Sequence, residues 1–441
     1  MKFLLTIIQA AGLGCASAAA GRRVLHYLQL ESYQLPGYVK SVRRNAMRAL
    51  IPPIAMAAVG VAALRLSGLT GLALLLEALT AALLVWQAAK EKAKKPFVAT
   101  ERVKRLLAVH VAVNTVLALA LLTVSPVLGY LMPAFEPALL MLAALIAAPM
   151  EKHIAGQFVK DAQARLAAQP GLIKIGITGS YGKTSTKFIL ATLLSEKYNV
   201  LATPSSFNTP MGITRVVREQ LKDEHQVFIA EMGAKNPGDI REICDLVHPG
   251  YGMITAIGEQ HLETFRTVEN IVATKFELAD AVPAGGVVFL NADNGYIRQR
   301  LAEHPPAAKA VTYGVEADSA AAYTAVDLEV GPRGSSFTVR APSGEEERFE
   351  TRLLGAHNIQ NLTGCIAVAH TLGIPLAELK YPVRMLRPVE HRLQLLPNGF
   401  IDDAYNYIIV IYYGIAASVF FNLFSSIVRA LGDSRTPLIF L

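Results

Sequence analysis

The chain has 441 residues, with 42 Lys and Arg against 35 Asp and Glu, a net charge of +7 and a mean hydropathy of +0.36. Residues 1–150 hold 15 of the basic and 5 of the acidic side chains, so the positive excess lies wholly in the first third, where the long apolar runs also lie. This distribution argues against a nucleic-acid binder with a basic face and predicts a membrane part joined to a near-neutral soluble part. Cys15, Cys244 and Cys365 have neither metal nor redox spacing, which excludes a disulfide framework and a zinc site.

Five apolar stretches precede residue 151, at about 3–20, 49–66, 69–89, 106–124 and 134–150. A helix needs about 20 apolar residues to cross a hydrocarbon core, and these runs predict about five spans. The fifth is interrupted by Glu136 and Pro137. The first has a second reading as a signal peptide, although its positive leader is Lys2 alone. Residues 21–49 and 90–105 form basic loops, whereas the connections near Ser67 and Pro133 carry almost no charge. Basic loops stay cytoplasmic, so five spans with an outside N-terminus put everything after Met150 inside. The same charges also suit anionic lipid, a second reading beside plain topology.

Residues 151–170 predict a helical linker ended by Pro170-Gly171, and 171–400 a central domain. Leu172–Thr178 reads as a buried strand that runs into Gly179-Ser180-Tyr-Gly182-Lys183-Thr184-Ser185, followed by a helical stretch. Strand, glycine-rich turn, Lys-Thr and helix together make a phosphate cradle. The glycines let backbone N–H groups approach phosphate oxygens and the helix N-terminus favours an anion. Lys183 reaches the terminal phosphates, and the Thr184 hydroxyl suits Mg2+. The expected ligand is a nucleotide. Glu231, at the end of a strand facing this cradle, suits the same Mg2+, or is a solvated strand-end carboxylate. Tyr323–Arg340 reads as a β-hairpin around Gly331-Pro-Arg-Gly334.

The turn is the short form T-G-x-x-G-K-T, and here the sequence resembles the Mur ligases, within them the MurF type. Further landmarks follow in the family's order: Asn208-Thr209-Pro-Met-Gly212, Glu231-Met-Gly-Ala, His261-Leu-Glu263, Lys275-Phe-Glu277, Asn291-Ala-Asp293, His357-Asn358-Ile-Gln-Asn361, His391-Arg392-Leu and Asp402-Asp403-Ala-Tyr405-Asn406. The resemblance covers about 170–406. It implies an α/β, doubly wound P-loop central domain behind an all-α transmembrane region. It also implies an ATP-dependent ligase of peptidoglycan precursor synthesis, which adds D-alanyl-D-alanine to a UDP-N-acetylmuramoyl-tripeptide through an acyl phosphate. By the same resemblance Asn208 and Thr209 belong to the substrate loop, His261 contributes to a second metal position, and Lys275 matches a lysine that is carbamylated into a metal ligand. Asn358 and Asn361 face the adenine edge or cap the following helix. Arg392 meets a terminal phosphate. Asp402 or Asp403 accepts from the ribose or marks a strand end.

The chain departs from the family where apolar runs stand in place of the usual N-terminal domain. It departs again after Asn406, so that 401–406 reads as the start of a truncated C-terminal domain. Residues 407–441 form an apolar, aromatic-rich helix and tail that resemble a fragment of a MATE-type antiporter, which suggests a junction of two coding sequences at 406/407. The expected location is the bacterial inner membrane, multi-pass, with the ligase domain cytoplasmic. The expected partners are a muramoyl-peptide precursor, D-alanyl-D-alanine and membrane lipid, without nucleic acid. Two alternatives stand: an ATP-binding but inactive chimera, and another Mur-like ligase such as a relative of folylpolyglutamate synthetase.

Overall fold

A computed structural model describes residues 2–91, 95–204, 207–260, 262–315, 320–331 and 334–387. It divides into two compact units that meet in sequence at Phe158/Val159.

The first unit is all helical: α1 (Lys2–Ala20), α2 (Arg22–Leu30), α3 (Leu35–Arg44), α4 (Ala46–Ser67), α5 (Thr70–Lys90), α6 (Glu101–Val124), α7 (Pro126–Leu131) and the first part of α8 (Glu136–Ala167). Small residues let these helices approach closely. A Cβ on Gly14 of α1 would lie 2.7 Å from the backbone nitrogen of Thr115 on α6. Inside the bundle, the Ser17 hydroxyl donates to Glu136 Oε2 at 2.7 Å, and His110 Nε2 lies 2.7 Å from Glu136 Oε1. Among the described residues, five helical segments are long and apolar enough to cross a membrane by length and composition. α8 continues past Pro149 to Ala167, so most of the stretch expected as a helical linker, 151–170, is helical.

The second unit is α/β. Its elements are β1 (Ile173–Thr178), α9 (Lys183–Leu194), β2 (Val200–Ala202), α10 (Pro210–Gln220), β3 (Val227–Glu231), α11 (Asp239–Val247), β4 (Tyr251–Ile254), α12 (Leu262–Phe265), α13 (Val268–Ala281), β5 (Val287–Asn291), α14 (Gly295–Glu303), β6 (Lys309–Gly314), β7 (Tyr323–Gly331), β8 (Gly334–Arg340), β9 (Glu346–Thr351), α15 (Ala356–Thr371) and α16 (Lys380–Met385). One nine-stranded sheet has the order β2-β3-β1-β4-β5-β6-β7-β8-β9. Its strands are parallel from β2 to β7, and β7-β8-β9 form an antiparallel meander. The expected hairpin at 323–340 is therefore part of the main sheet, with Gly331 opposite Gly334.

β3 shows why this sheet is covered on both faces. All five of its residues are buried, and alternate side chains enter different cores. Val227 and Ile229 join Leu190, Leu193 and Ile366 of α9 and α15, whereas Phe228 and Ala230 join Val216, Ile243 and Phe276 of α10, α11 and α13. β1 sits between β3 and β4, so the chain leaves it toward one edge and later returns on its other side. Such a switch point opens a crevice at the carboxyl ends of the strands, where open α/β sheets bind ligands.

Candidate nucleotide-binding site

At that crevice, β1 ends in a turn that only glycine at two positions permits. Gly179 has φ +149°, and a Cβ there would lie 2.1 Å from Thr255 Oγ1. Gly182 has φ +81°, and a Cβ would press on the Asn361 amide at 2.9 Å. Thr255 and Ser180 tie the turn to the loop after β4. The Thr255 hydroxyl donates to Tyr181 O at 2.5 Å, and Ser180 Oγ donates to Gly258 O at 3.0 Å. The turn delivers the chain into α9, whose first residues are Lys183, Thr184 and Ser185. The helix begins at Lys183 itself, which points its free N–H groups into the turn. The Lys183 ammonium donates to Gly179 O at 2.7 Å and to Ser180 O at 3.1 Å, bridging the loop it would share with a phosphate.

Glu231, the last residue of β3, is 2 % exposed. Thr184 Oγ1 donates to its Oε1 at 3.1 Å, and Asn208 Nδ2 donates to the same oxygen at 3.3 Å. Its Oε2 accepts from the fully buried Lys187 ammonium at 2.9 Å, and its backbone N–H donates to Thr203 Oγ1 at 3.1 Å. The structure thus brings the expected pair Thr184 and Glu231 together, along with Asn208. It adds Thr203 and also Lys187, which sequence reasoning missed. A lysine one turn beyond Thr184, on the face shared with Leu190, was the available signal.

A cleft of about 330 Å3 opens beside these groups, lined by Lys183, Asn208, Thr209, Lys235, Asp239 and Lys275, among others. Thr209 caps α10, its hydroxyl accepting from Gly212 N at 3.2 Å. Lys275 is 4 % exposed. Burial pushes its ammonium down to about 8, the Lys183 charge adds to this, and Asp239 and Glu277 oppose it. Glu277 caps α11 by accepting from Gly238 N and Arg241 N, both at 2.8 Å. Asn358 donates to Leu354 O at 2.7 Å at the start of α15, while Asn361 packs on Gly182. Of the two, Asn361 therefore touches the phosphate loop and Asn358 is engaged locally. His261, Arg392, Asp402 and Asp403 lie outside the described residues, as does 407–441.

Thr184 Oγ1 and Glu231 Oε1 are hard oxygen donors at the mouth of the loop, a set that fits Mg2+. Among the described residues no three His, Cys, Asp or Glu side chains cluster. A cation here would therefore draw its remaining ligands from phosphate oxygens and water.

Fold and site define a nucleotide-binding α/β domain with a phosphate loop at the switch point of its sheet. Residues 177–369 match the Mur ligase middle domain. The UDP-N-acetylmuramoyl-tripeptide–D-alanyl-D-alanine ligase of Mycobacterium bovis is 34 % identical over 242 residues, covering 54 % of this chain and 46 % of that protein. The enzyme of the same name from Escherichia coli K12 is 27 % identical over 276 residues, 60 % of each chain. A crystal structure of MurF from Acinetobacter baumannii superposes with a TM-score of 0.51 at 26 % identity, covering 55 % of this chain and 52 % of that one. The chain spans about half the length of the M. bovis relative. These matches do not favour the inactive and folylpolyglutamate-type alternatives, and they give the antiporter resemblance of 407–441 no support. They correct the expected multi-pass membrane location. The MurF relatives are soluble cytoplasmic enzymes, and the five apolar helices are candidate spans by length and composition alone. The physical reason is that a long apolar helix meets the length condition whether lipid or protein covers it.

Proposed function

We propose that this chain is an ATP-dependent amide-forming ligase that joins D-alanyl-D-alanine to a UDP-N-acetylmuramoyl-tripeptide, with Mg2+ as its metal. The observation that carries this reading is the Thr184–Glu231 contact at a glycine-shaped turn beside a cationic cleft. A carboxylate does not condense with an amine unaided. Its oxygen first takes the γ-phosphoryl group, releasing ADP. The amine nitrogen then attacks the acyl carbon, the C–O bond to phosphate breaks, and the amine loses a proton. Phosphoryl transfer gathers negative charge, so the protein acts chiefly by positioning and by cations. The N–H groups of the turn and the α9 N-terminus hold the phosphate chain, and Lys183 moves from its carbonyls onto the terminal phosphates. Mg2+, held by Thr184 and Glu231, would neutralise phosphate oxygens. Asn208, Thr209 and Lys235 line the cleft and would face the acceptor carboxylate. Lys275, matching the carbamylated lysine, meets one requirement of that modification, since a buried amine lowered to about 8 supplies the neutral form that reacts with CO2.

The test is ADP release by the full chain, supplied with Mg·ATP, UDP-N-acetylmuramoyl-tripeptide and D-alanyl-D-alanine. We expect release to require both acceptor and dipeptide. Lys183→Met should lower it by about 10³-fold or more, because a preorganised charge at the developing phosphoryl charge is removed. Nucleotide binding without turnover would overturn the ligase reading, and no nucleotide binding would overturn the site as well.

A further inference from the structure

The two oxygens of Glu231 have different surroundings. Oε1 meets Thr184 Oγ1 at 3.1 Å and Asn208 Nδ2 at 3.3 Å, on the side of the cleft that Asn208 lines. Oε2 points inward to the Lys187 ammonium at 2.9 Å, and both partners of this ion pair are almost wholly excluded from solvent, at 0 % and 2 % side-chain exposure. Thr184 and Lys187 stand three residues apart on α9, so one helical turn presents a separate donor to each oxygen of one carboxylate. Those side-chain contacts hold the carboxylate, and the backbone that carries it is fixed as well: its N–H is bound to Thr203 Oγ1, and β3 is paired on both sides.

A carboxylate offers a cation either one oxygen or both. Ca2+ takes six to eight oxygens at roughly 2.3–2.6 Å and readily accepts both from one group, whereas Mg2+ holds to an octahedron at about 2.0–2.1 Å and takes one. We propose that Lys187 is a positioning residue that ties down Oε2 of Glu231, leaves Oε1 as the single oxygen offered to a divalent cation, and thereby biases the site toward Mg2+ over Ca2+. This rests on the reading of the site as one for Mg·ATP. It differs from a purely structural role for the buried pair, which would affect folding and leave the choice of metal unchanged. Replacing Lys187 with an apolar residue of similar length releases Oε2 and leaves the buried carboxylate uncompensated. The carboxylate then turns both oxygens toward any cation at the cleft.

The experiment is Mn2+ binding to the full chain in the presence of ADP, followed by electron paramagnetic resonance, with displacement by Mg2+ and by Ca2+. In Lys187→Met, checked for folding by circular dichroism, we expect the ratio of Mg2+ to Ca2+ affinity to fall by about tenfold or more, as a two-oxygen bite opens to the larger ion. An unchanged ratio in folded K187M overturns the inference. Failure of the wild-type chain to bind Mn2+·ADP overturns the nucleotide reading and this inference with it. A crystal structure of the wild-type chain with Mn2+ and ADP tests the same point without a variant. One Glu231 oxygen on the metal and the other on Lys187 supports the inference, whereas both oxygens on the metal overturns it.

Discussion

Lys275 is a residue whose charge the fold opposes. Its folded-state value is about 8, against an ordinary 10.5, with burial as the main cause. Between those two values the unfolded chain holds a proton that the folded chain has released, so stability rises with pH across that window. Below about 8 both states are protonated and the cost of burying the ammonium is borne in full. Urea unfolding of the wild-type chain should therefore gain about 2 kcal/mol from pH 8 to pH 10 relative to Lys275→Met. Parallel pH profiles would mean that the amine stays solvated. Gly179 is constrained in a different way. At φ +149°, with Thr255 Oγ1 2.1 Å from where a Cβ would stand, Gly179→Ala needs both a strained backbone and a displaced loop. We expect a loss of about 2–4 kcal/mol together with the loss of ADP affinity, read by thermal unfolding with and without nucleotide.

α10 shows how a binding loop is anchored by ordinary helix chemistry. Thr209 stands at its N-cap, Pro210 opens its first turn, and the Thr209 hydroxyl accepts from Gly212 N. The cap also fixes Asn208, whose amide reaches Glu231. Thr209→Ala should cost about 1 kcal/mol of stability, and Thr209→Ser should restore most of it, by denaturant titration. The K-x-E pair of α13 is likewise divided by its surroundings. Lys275 faces the cleft, while Glu277 caps α11 by accepting two backbone N–H groups. The sequence spacing showed that both belong to one helix. It did not show that they serve two different elements.

The central sheet is covered by two cores, and each holds one buried thiol. Cys365 lies with α9 and α15, and Cys244 with α11 and α13. Burial pushes the Cys244 thiol up to about 12 and the Cys365 thiol higher still, so neither offers a thiolate near neutral pH. Because β2, β3, β4 and β5 each contribute to both cores, the two faces should open together. We expect both thiols to resist a disulfide reagent at pH 8 in the native chain and to become reactive at one urea midpoint, measured by mass spectrometry of labelled peptides. Separate midpoints would mean that the faces unfold independently.

The amino-acid sequence by itself determined what depends on near neighbours. β1 was legible from its aliphatic run, the turn from Gly179 and Gly182, the cradle from Lys183 and Thr184, and the helical character of residues 1–150 from long apolar runs. In each case the backbone preference and the chemistry reside in residues a few positions apart. Only the tertiary structure decided which side chains meet across the sheet. Thr184 and Glu231 are 47 residues apart and come within 3.1 Å because β3 pairs directly with β1. Lys187 meets its partner only through that pairing, which sets a buried carboxylate against it. Strand order is a global property of the chain. No local pattern records it, and it governs which charges must neutralise one another inside the domain.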